Sequence, residues 1–358
     1  TGGNPLFLIQ LLATLHRRDQ LRFDPEEERW TWELDALRDL EASQNVLELL
    51  ERSVTNLGDE LAEILQYAAS LGTTFELGRL EMVSELGLEA CRKACLAAVD
   101  AGLLAPVEPP EPLSGEKLGL REWRFRFTHD RVQQAAYHQL GEGERAQRHL
   151  MVGRRLLEAL TPEELDHELF EVVGHFDAGV ELIETQEERR RVAELLLRAV
   201  KRARHSAAWA EGYHVLLAAE TLLEGLDDTE EMERALCHSG ATLAFLVGRF
   251  DAADQWIEQG LSRAETDLER AMFLEHRVRQ YSSLGRYAEA KQWGWRALEL
   301  VGRGISDADP SQLLAEELET LKALLEARDL EALVDAPEMT DDEARMALRL
   351  LCALIPPQ

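Results

Sequence analysis

The string Gly-Arg-Phe-Asp-Ala-Ala beginning at Gly248 returns as Gly-Arg-Tyr-Ala-Glu-Ala at Gly285, 37 residues later. A repeat of that length is the period of stacked helix pairs, because one such pair cannot bury its apolar face alone and must lean on the next. Each copy is followed by small and apolar residues in the same frame, Gly260-Leu261 in one and Ala297-Leu298 in the other. A looser earlier copy puts Trp209 where Phe250 and Tyr287 stand, with Gly212 and Ala219 at the small positions. The pattern predicts that the small residues let neighbouring helices approach and that the aromatic fills the gap between them. From about Arg145 onward every segment reads as helical. Asp307 to Ser311 breaks the array, and Leu313 to Leu325 and Asp341 to Leu354 read as further helices.

The N-terminal part reads differently. Asn4-Pro5 is a helix start, with asparagine as N-cap, proline at the first helical position and a stripe at Leu6, Ile9 and Leu12. Leu21 and Phe23, the turn Asp24-Pro25-Glu26, then Trp30, Trp32 and Leu34 predict a short hairpin clamped by tryptophans. Ser43 is expected to cap a helix carrying Val46 to Leu57. Three helices follow, ending at Gly72, Gly87 and Gly102. Leu103 to Val107 and Trp123 to Thr128 then read as paired strands about a turn-rich polar loop, which is the element order of a winged helix. At the end of the second strand Asp130 is expected to cap a helix, with Gln133 completing a capping box and Val132, Ala135, Ala136 and Leu140 as its apolar face. His129 is left at the mouth of that helix. It is either a corner residue or part of an anion site, since free amides and the dipole favour negative charge there.

Charge and length narrow the function. The 358 residues suggest two or three domains, and 68 acidic against 39 basic residues give a net charge of −29, which disfavours nucleic acid. Cys91, Cys95, Cys237 and Cys352 are few and scattered, as in a reduced cytoplasmic protein. No apolar run approaches the roughly 20 residues that cross a bilayer. Without an initiator methionine, and stopping at Ile355-Pro356-Pro357-Gln358, the chain reads as a piece of something larger.

Few residues invite chemistry. No phosphate-binding loop of the G-x-x-x-x-G-K-[ST] type and no kinase H-R-D or D-F-G occurs in the sequence. His167-Glu168-Leu169-Phe170-Glu171 begins like a zinc-protease helix, or a histidine-kinase phosphoacceptor, but Glu171 stands where the second histidine belongs and Phe170 where a basic residue would. Cys91 and Cys95 share a helix face with Ala98, and core packing accounts for them. Arg92 and Lys93 are balanced by Glu89 and Asp100 on the third helix, and the basic groups Arg124, Arg126 and Arg189-Arg190-Arg191 sit among acidic residues.

At these residues the chain resembles the signal-transduction ATPases called STAND proteins, in particular the ATPase-and-repeat segment of large bacterial multidomain sensor kinases. Gly3-Asn4-Pro5-Leu6-Phe7 is similar to the G-x-P motif of that family's helical lid, and Thr128-His129-Asp130 to the M-H-D motif of its winged helix, with threonine in place of methionine. Phe127-Thr128-His129-Asp130 through Tyr137, and Ala336-Pro337-Glu338-Met339 through Leu351, resemble this subfamily. The resemblance implies that Pro5 contacts adenine, that His129 contacts the terminal phosphate of ADP with Asp130 beside it, and that the phosphate loop and the magnesium carboxylate lie ahead of Thr1.

The expected architecture is mainly α. A lid remnant with a hairpin spans 1–42, a winged helix with a small β-hairpin 43–145, and a tetratricopeptide-like superhelix 146–358. No catalytic or metal residue and no cofactor are expected in the chain, whereas ATP or ADP with Mg is expected in the parent protein. The expected role is regulatory and non-catalytic. The winged helix senses nucleotide through His129, Pro5 and Asp130, and the concave face of the repeats receives a protein partner or an adjacent domain. Oligomers would form through the missing ATPase. The alternatives are a DNA-binding winged-helix regulator and a plain repeat scaffold.

Overall fold

The computed structural model describes residues 8, 12, 15 and 16 and the ranges 20–32, 58–107, 119–304, 310–326 and 338–355. Asn4, Pro5 and the helix expected after Ser43 lie outside the described residues. The protein is mainly α, with fifteen α-helices and little sheet among the described residues. It divides into two compact units, Thr1–Leu182 and Ile183–Gln358.

In the first unit, β1 (Leu21–Asp24) and β2 (Arg29–Trp32) form the expected antiparallel hairpin, with Phe23 opposite Trp30. Asp24 closes the turn by accepting the Glu26 backbone N–H at 2.9 Å, the local bond that makes aspartate a turn former. Trp30 lies edge-on to Phe23 and His16, with centroids 5.4 and 5.6 Å away.

Next come α1 (Asp59–Leu71), β3 (Thr74–Glu76), α2 (Leu77–Ser84), α3 (Leu88–Asp100), β4 (Leu104–Val107) and β5 (Arg124–Phe127). The sheet order is β3-β5-β4, antiparallel throughout, with Leu104 opposite Phe127 and Phe75 opposite Phe125. Two sequence expectations need correction here. Trp123 lies outside the strand, since its carbonyl takes the Leu77 N–H and its side chain is exposed. Helix α2 ends at Ser84, before Gly87, because Glu85 turns left-handed at φ 59°. Strand β3 was not foreseen, since three residues are too few to show alternation. Phe75 meets Phe125 and Phe127 beneath the sheet, with ring centroids 6.2 and 6.1 Å away, and all three are buried. Cys91 and Cys95 are likewise core residues, as expected, and burial pushes the Cys95 thiol up to about 12. Helices α4 (Asp130–His138), α5 (Glu142–Ala159), α6 (Pro162–His167) and α7 (Leu169–Ala178) complete the unit.

The second unit is a succession of antiparallel pairs: α8 (Gln186–His205) with α9 (Trp209–Leu223), α10 (Glu230–Leu246) with α11 (Phe250–Arg263), and α12 (Asp267–Ser283) with α13 (Tyr287–Leu300). Then come α14 (Pro310–Glu326) and α15 (Asp342–Leu354), the latter packed on α12 and α13. Asp341 caps α15 by accepting the Ala344 N–H at 3.0 Å.

The small positions Gly212 and Gly260 behave as the repeat implies, and Gly240, outside the repeat reading, does the same. Glycine at 212, 240 and 260 lets helices close to the point where a Cβ would sit 2.8 Å from Ala203, 2.4 Å from Trp256 and 2.1 Å from Phe273. The repeat aromatics do not fill those gaps. Trp209, Phe250 and Tyr287 are each the first residue of a second helix and are 39, 45 and 44% exposed. Trp256 and Phe273, outside the repeated string, occupy the spaces instead. Arg189 and Arg190 form no free basic patch. Arg189 donates to the Leu222 carbonyl at 3.1 Å and the Thr221 carbonyl at 2.9 Å, tying α8 to the carboxyl end of α9, and Arg190 donates to the Asp227 and Asp228 carbonyls.

Candidate functional site

The corner between β5 and α4 is built by three consecutive residues with different tasks. Phe127 enters the core. Thr128 ends the strand, donating its hydroxyl to the Gly102 carbonyl at 3.0 Å and the Leu103 carbonyl at 3.2 Å, while its N–H donates to Leu103. His129 then adopts extended backbone and caps the helix: its Nδ1 accepts the Arg131 N–H at 3.1 Å. Asp130, expected as the cap, is instead the first helical residue and is exposed. Gln133 does not close a capping box either, for its amide donates to the Ala69 carbonyl at 2.9 Å and ties α4 to α1. An imidazole can accept in place of a carboxylate, which is why the residue type alone misplaced the cap by one position.

The cap fixes the chemistry of the ring. Because Nδ1 accepts a backbone proton, it carries the lone pair, and the neutral ring bears its hydrogen on Nε2. Among the described residues Nε2 has no hydrogen-bond partner, and the side chain is 36% exposed. The Arg131 amide is taken by Nδ1 and the Val132 amide by the His129 carbonyl at 2.9 Å, so the corner presents one N–H donor, Nε2–H, at the positive end of a helix dipole, a combination suited to an anionic oxygen. Asp130 Oδ1 lies 3.6 Å from Nδ1 and opposes an anion there.

Beneath α4 is a polar chain that sequence reading missed. Tyr137 Oη lies 2.8 Å from His149 Nε2, and His149 Nδ1 lies 2.8 Å from His175 Nδ1. Burial is the first cause that lowers both histidines below their ordinary range, joined by the charge of Arg145 at His149 and by the charges of His149 and Arg79 at His175, which falls to about 3. The chain joins α4, α5 and α7, so the helix that His129 caps is anchored at its far end to two others. No sequence spacing announces it, since the three residues come from three helices.

The other side chains considered for chemistry have structural roles. Glu168 pairs with Arg79, and both line a cleft of 340 Å³ with Glu76, Glu171 and Arg124. His167 closes the short α6. Arg92 pairs with Glu89, and Arg124 with Glu76. Among the described residues no group of three or more potential ligands could hold a metal ion, and no helix is long and apolar enough to cross a membrane.

No family model matches the chain, and no solved structure does. Hybrid signal transduction histidine kinase G of Dictyostelium discoideum is 24% identical to it over 332 residues, which covers 79% of this chain and 10% of that protein. The chain thus has a distant homologue among signal-transduction kinases and spans about a tenth of its length.

Proposed function

We propose that this chain is a non-catalytic regulatory segment of a larger signalling protein, in which the β5–α4 corner reads the state of a bound nucleotide and the helical pairs receive a protein partner or a neighbouring domain. The observation that carries the reading is the His129 ring, whose Nδ1 is committed to the Arg131 amide so that Nε2–H is presented at the start of α4. The three-helix, three-strand arrangement before it is consistent with a winged helix, and the 37-residue pairs after it with a tetratricopeptide-like array. The distant similarity to a hybrid histidine kinase supplies the signalling context. ATP or ADP with Mg would be held chiefly by a phosphate-binding loop outside this chain. His129 would add one hydrogen bond to a terminal phosphate, and Pro5 a contact to the base. A switch of this kind requires the nucleotide to bind its two states unequally.

The test is ADP binding by calorimetry in the longer protein, comparing wild type with His129→Asn and His129→Ala. Asparagine keeps an N-cap acceptor while removing the ring donor, whereas alanine removes both. The expected result is about tenfold weaker ADP binding for each, about 1.4 kcal/mol, with the melting temperature lowered only in the alanine variant. Equal affinity in all three would make His129 a corner residue and the segment a plain scaffold.

A further inference from the structure

Helix α14 carries Leu314, Leu318, Leu321 and Leu325 at successive spacings of four, three and four residues, which sets them in one stripe along the helix. All four are exposed, at 60, 45, 50 and 43%. At the end of the array, Leu298, Met339, Ala347, Leu348 and Leu351 line an apolar groove of 340 Å³ with Arg303 on its rim. One face of α15 is buried, with Met346, Leu350 and Ala353 joining the core of α12 and α13. Its other face offers Leu348, Leu351 and Ile355, at spacings of three and four, and these are 50, 44 and 65% exposed. Among the described residues no helix covers that face.

We propose that α14 folds back antiparallel onto α15 and covers this groove, making the last helix pair of the array from a segment of the same chain. Three observations choose this occupant. The two stripes share one spacing, so that with Leu325 set beside Ala344, Leu321 meets Leu348, and Leu318 meets Leu351 and Cys352. The charges are complementary, because Glu317, Glu319 and Glu326 outnumber Lys322 on α14 while Arg303 is the charged residue that lines the groove. The tether reaches, since 15 residues separate Glu326 from Asp342 and an extended chain of that length spans roughly 50 Å. A short tether also raises the local concentration of α14 to about the millimolar range. A second copy has no such advantage: the 17 residues of α14 hold only about two heptads, and a free coiled coil needs about three to four. Docking exchanges exposed leucine for a closed end of the array. A partner helix with the same acidic, leucine-striped chemistry would compete for the groove. The inference does not depend on the nucleotide reading.

Cys352 supplies the test, being exposed while Cys91, Cys95 and Cys237 are buried. Leu318→Cys places a thiol on the stripe, and Thr320→Cys places one on the opposite face of α14. Under mild oxidation of the full chain, the Leu318→Cys variant is expected to form an internal disulfide with Cys352, seen in monomeric protein by peptide mapping, at least tenfold faster than the Thr320→Cys variant. Adding Leu321→Asp to Leu318→Cys should abolish that difference. Equal rates in the two single variants, or a cross-link only between chains, would overturn the proposal; the second result would assign the stripe to another copy.

Discussion

Ala207 sits in the left-handed region at φ 59°, at the place where the next two turns of the array carry Gly248 at φ 80° and Gly285 at φ 73°. In all three turns the following N–H reaches back five residues, from Ala208 to Ala203, Arg249 to Ala244 and Arg286 to Tyr281, at 3.0, 2.8 and 2.8 Å. This bond satisfies an orphan carbonyl at a helix end and requires the left-handed residue between. Glycine adopts that conformation freely, whereas a residue with a Cβ loses about 1–2 kcal/mol there. Ala207→Gly is therefore expected to stabilise the protein by about 1 kcal/mol after the entropy glycine surrenders on folding, read as a higher urea midpoint at unchanged slope. The gain should be confined to this position, because its two counterparts already carry glycine.

Between elements, paired histidines act as polar rivets. His149 and His175 join α5 to α7, and His238 Nδ1 meets His276 Nε2 at 3.1 Å to join α10 to α12, with His238 stacked 3.9 Å over Phe273. Desolvation holds all four rings below the ordinary histidine range, His175 to about 3 and His238 to about 4. The unfolded chain, with ordinary histidines, binds more protons than the folded one once pH drops below about 6.5, so stability is lost on acidification and stays lost below the folded pKa. Between pH 7.5 and pH 5 the loss is expected to be about 2 kcal/mol for each of His175, His238 and His276, measured by urea unfolding at the two values. His175→Phe should flatten the dependence if the pair is its source. Elements of this kind mark what a sequence conceals. Helix pairs and the hairpin were legible because the 37-residue period, the glycines and Asp24 act locally. The rivets, the third strand and the gap-filling Trp256 were not, because each depends on a neighbour distant in the chain. The corner lay between the two cases: His129 was singled out from its place after a strand, yet its capping role needed coordinates, since Asp130 is the commoner N-cap residue.

For the whole molecule, the element order of the first unit invites a DNA reading, and the charge distribution argues against it. Recognition of a duplex needs lysine and arginine free to meet phosphates, with several counterions released on binding. On α3, Arg92 is held by Glu89 at 2.6 Å; near the sheet, Arg124 is held by Glu76 at 2.6 Å and Arg121 by Glu81 at 2.9 Å. Each of these three arginines would first have to leave a carboxylate to meet DNA, and the net charge of −29 adds repulsion over distances beyond any single pair. Low salt is where that balance is most exposed, because lowering salt strengthens a genuine phosphate interface and strengthens the repulsion here. Gel shifts with a duplex at about 10 µM protein, within the range of non-specific binding, are therefore expected to show no complex at either low or physiological salt. A complex that dissolves steeply as salt rises would restore the DNA reading and would place its contacts on arginines released from Glu76, Glu81 and Glu89.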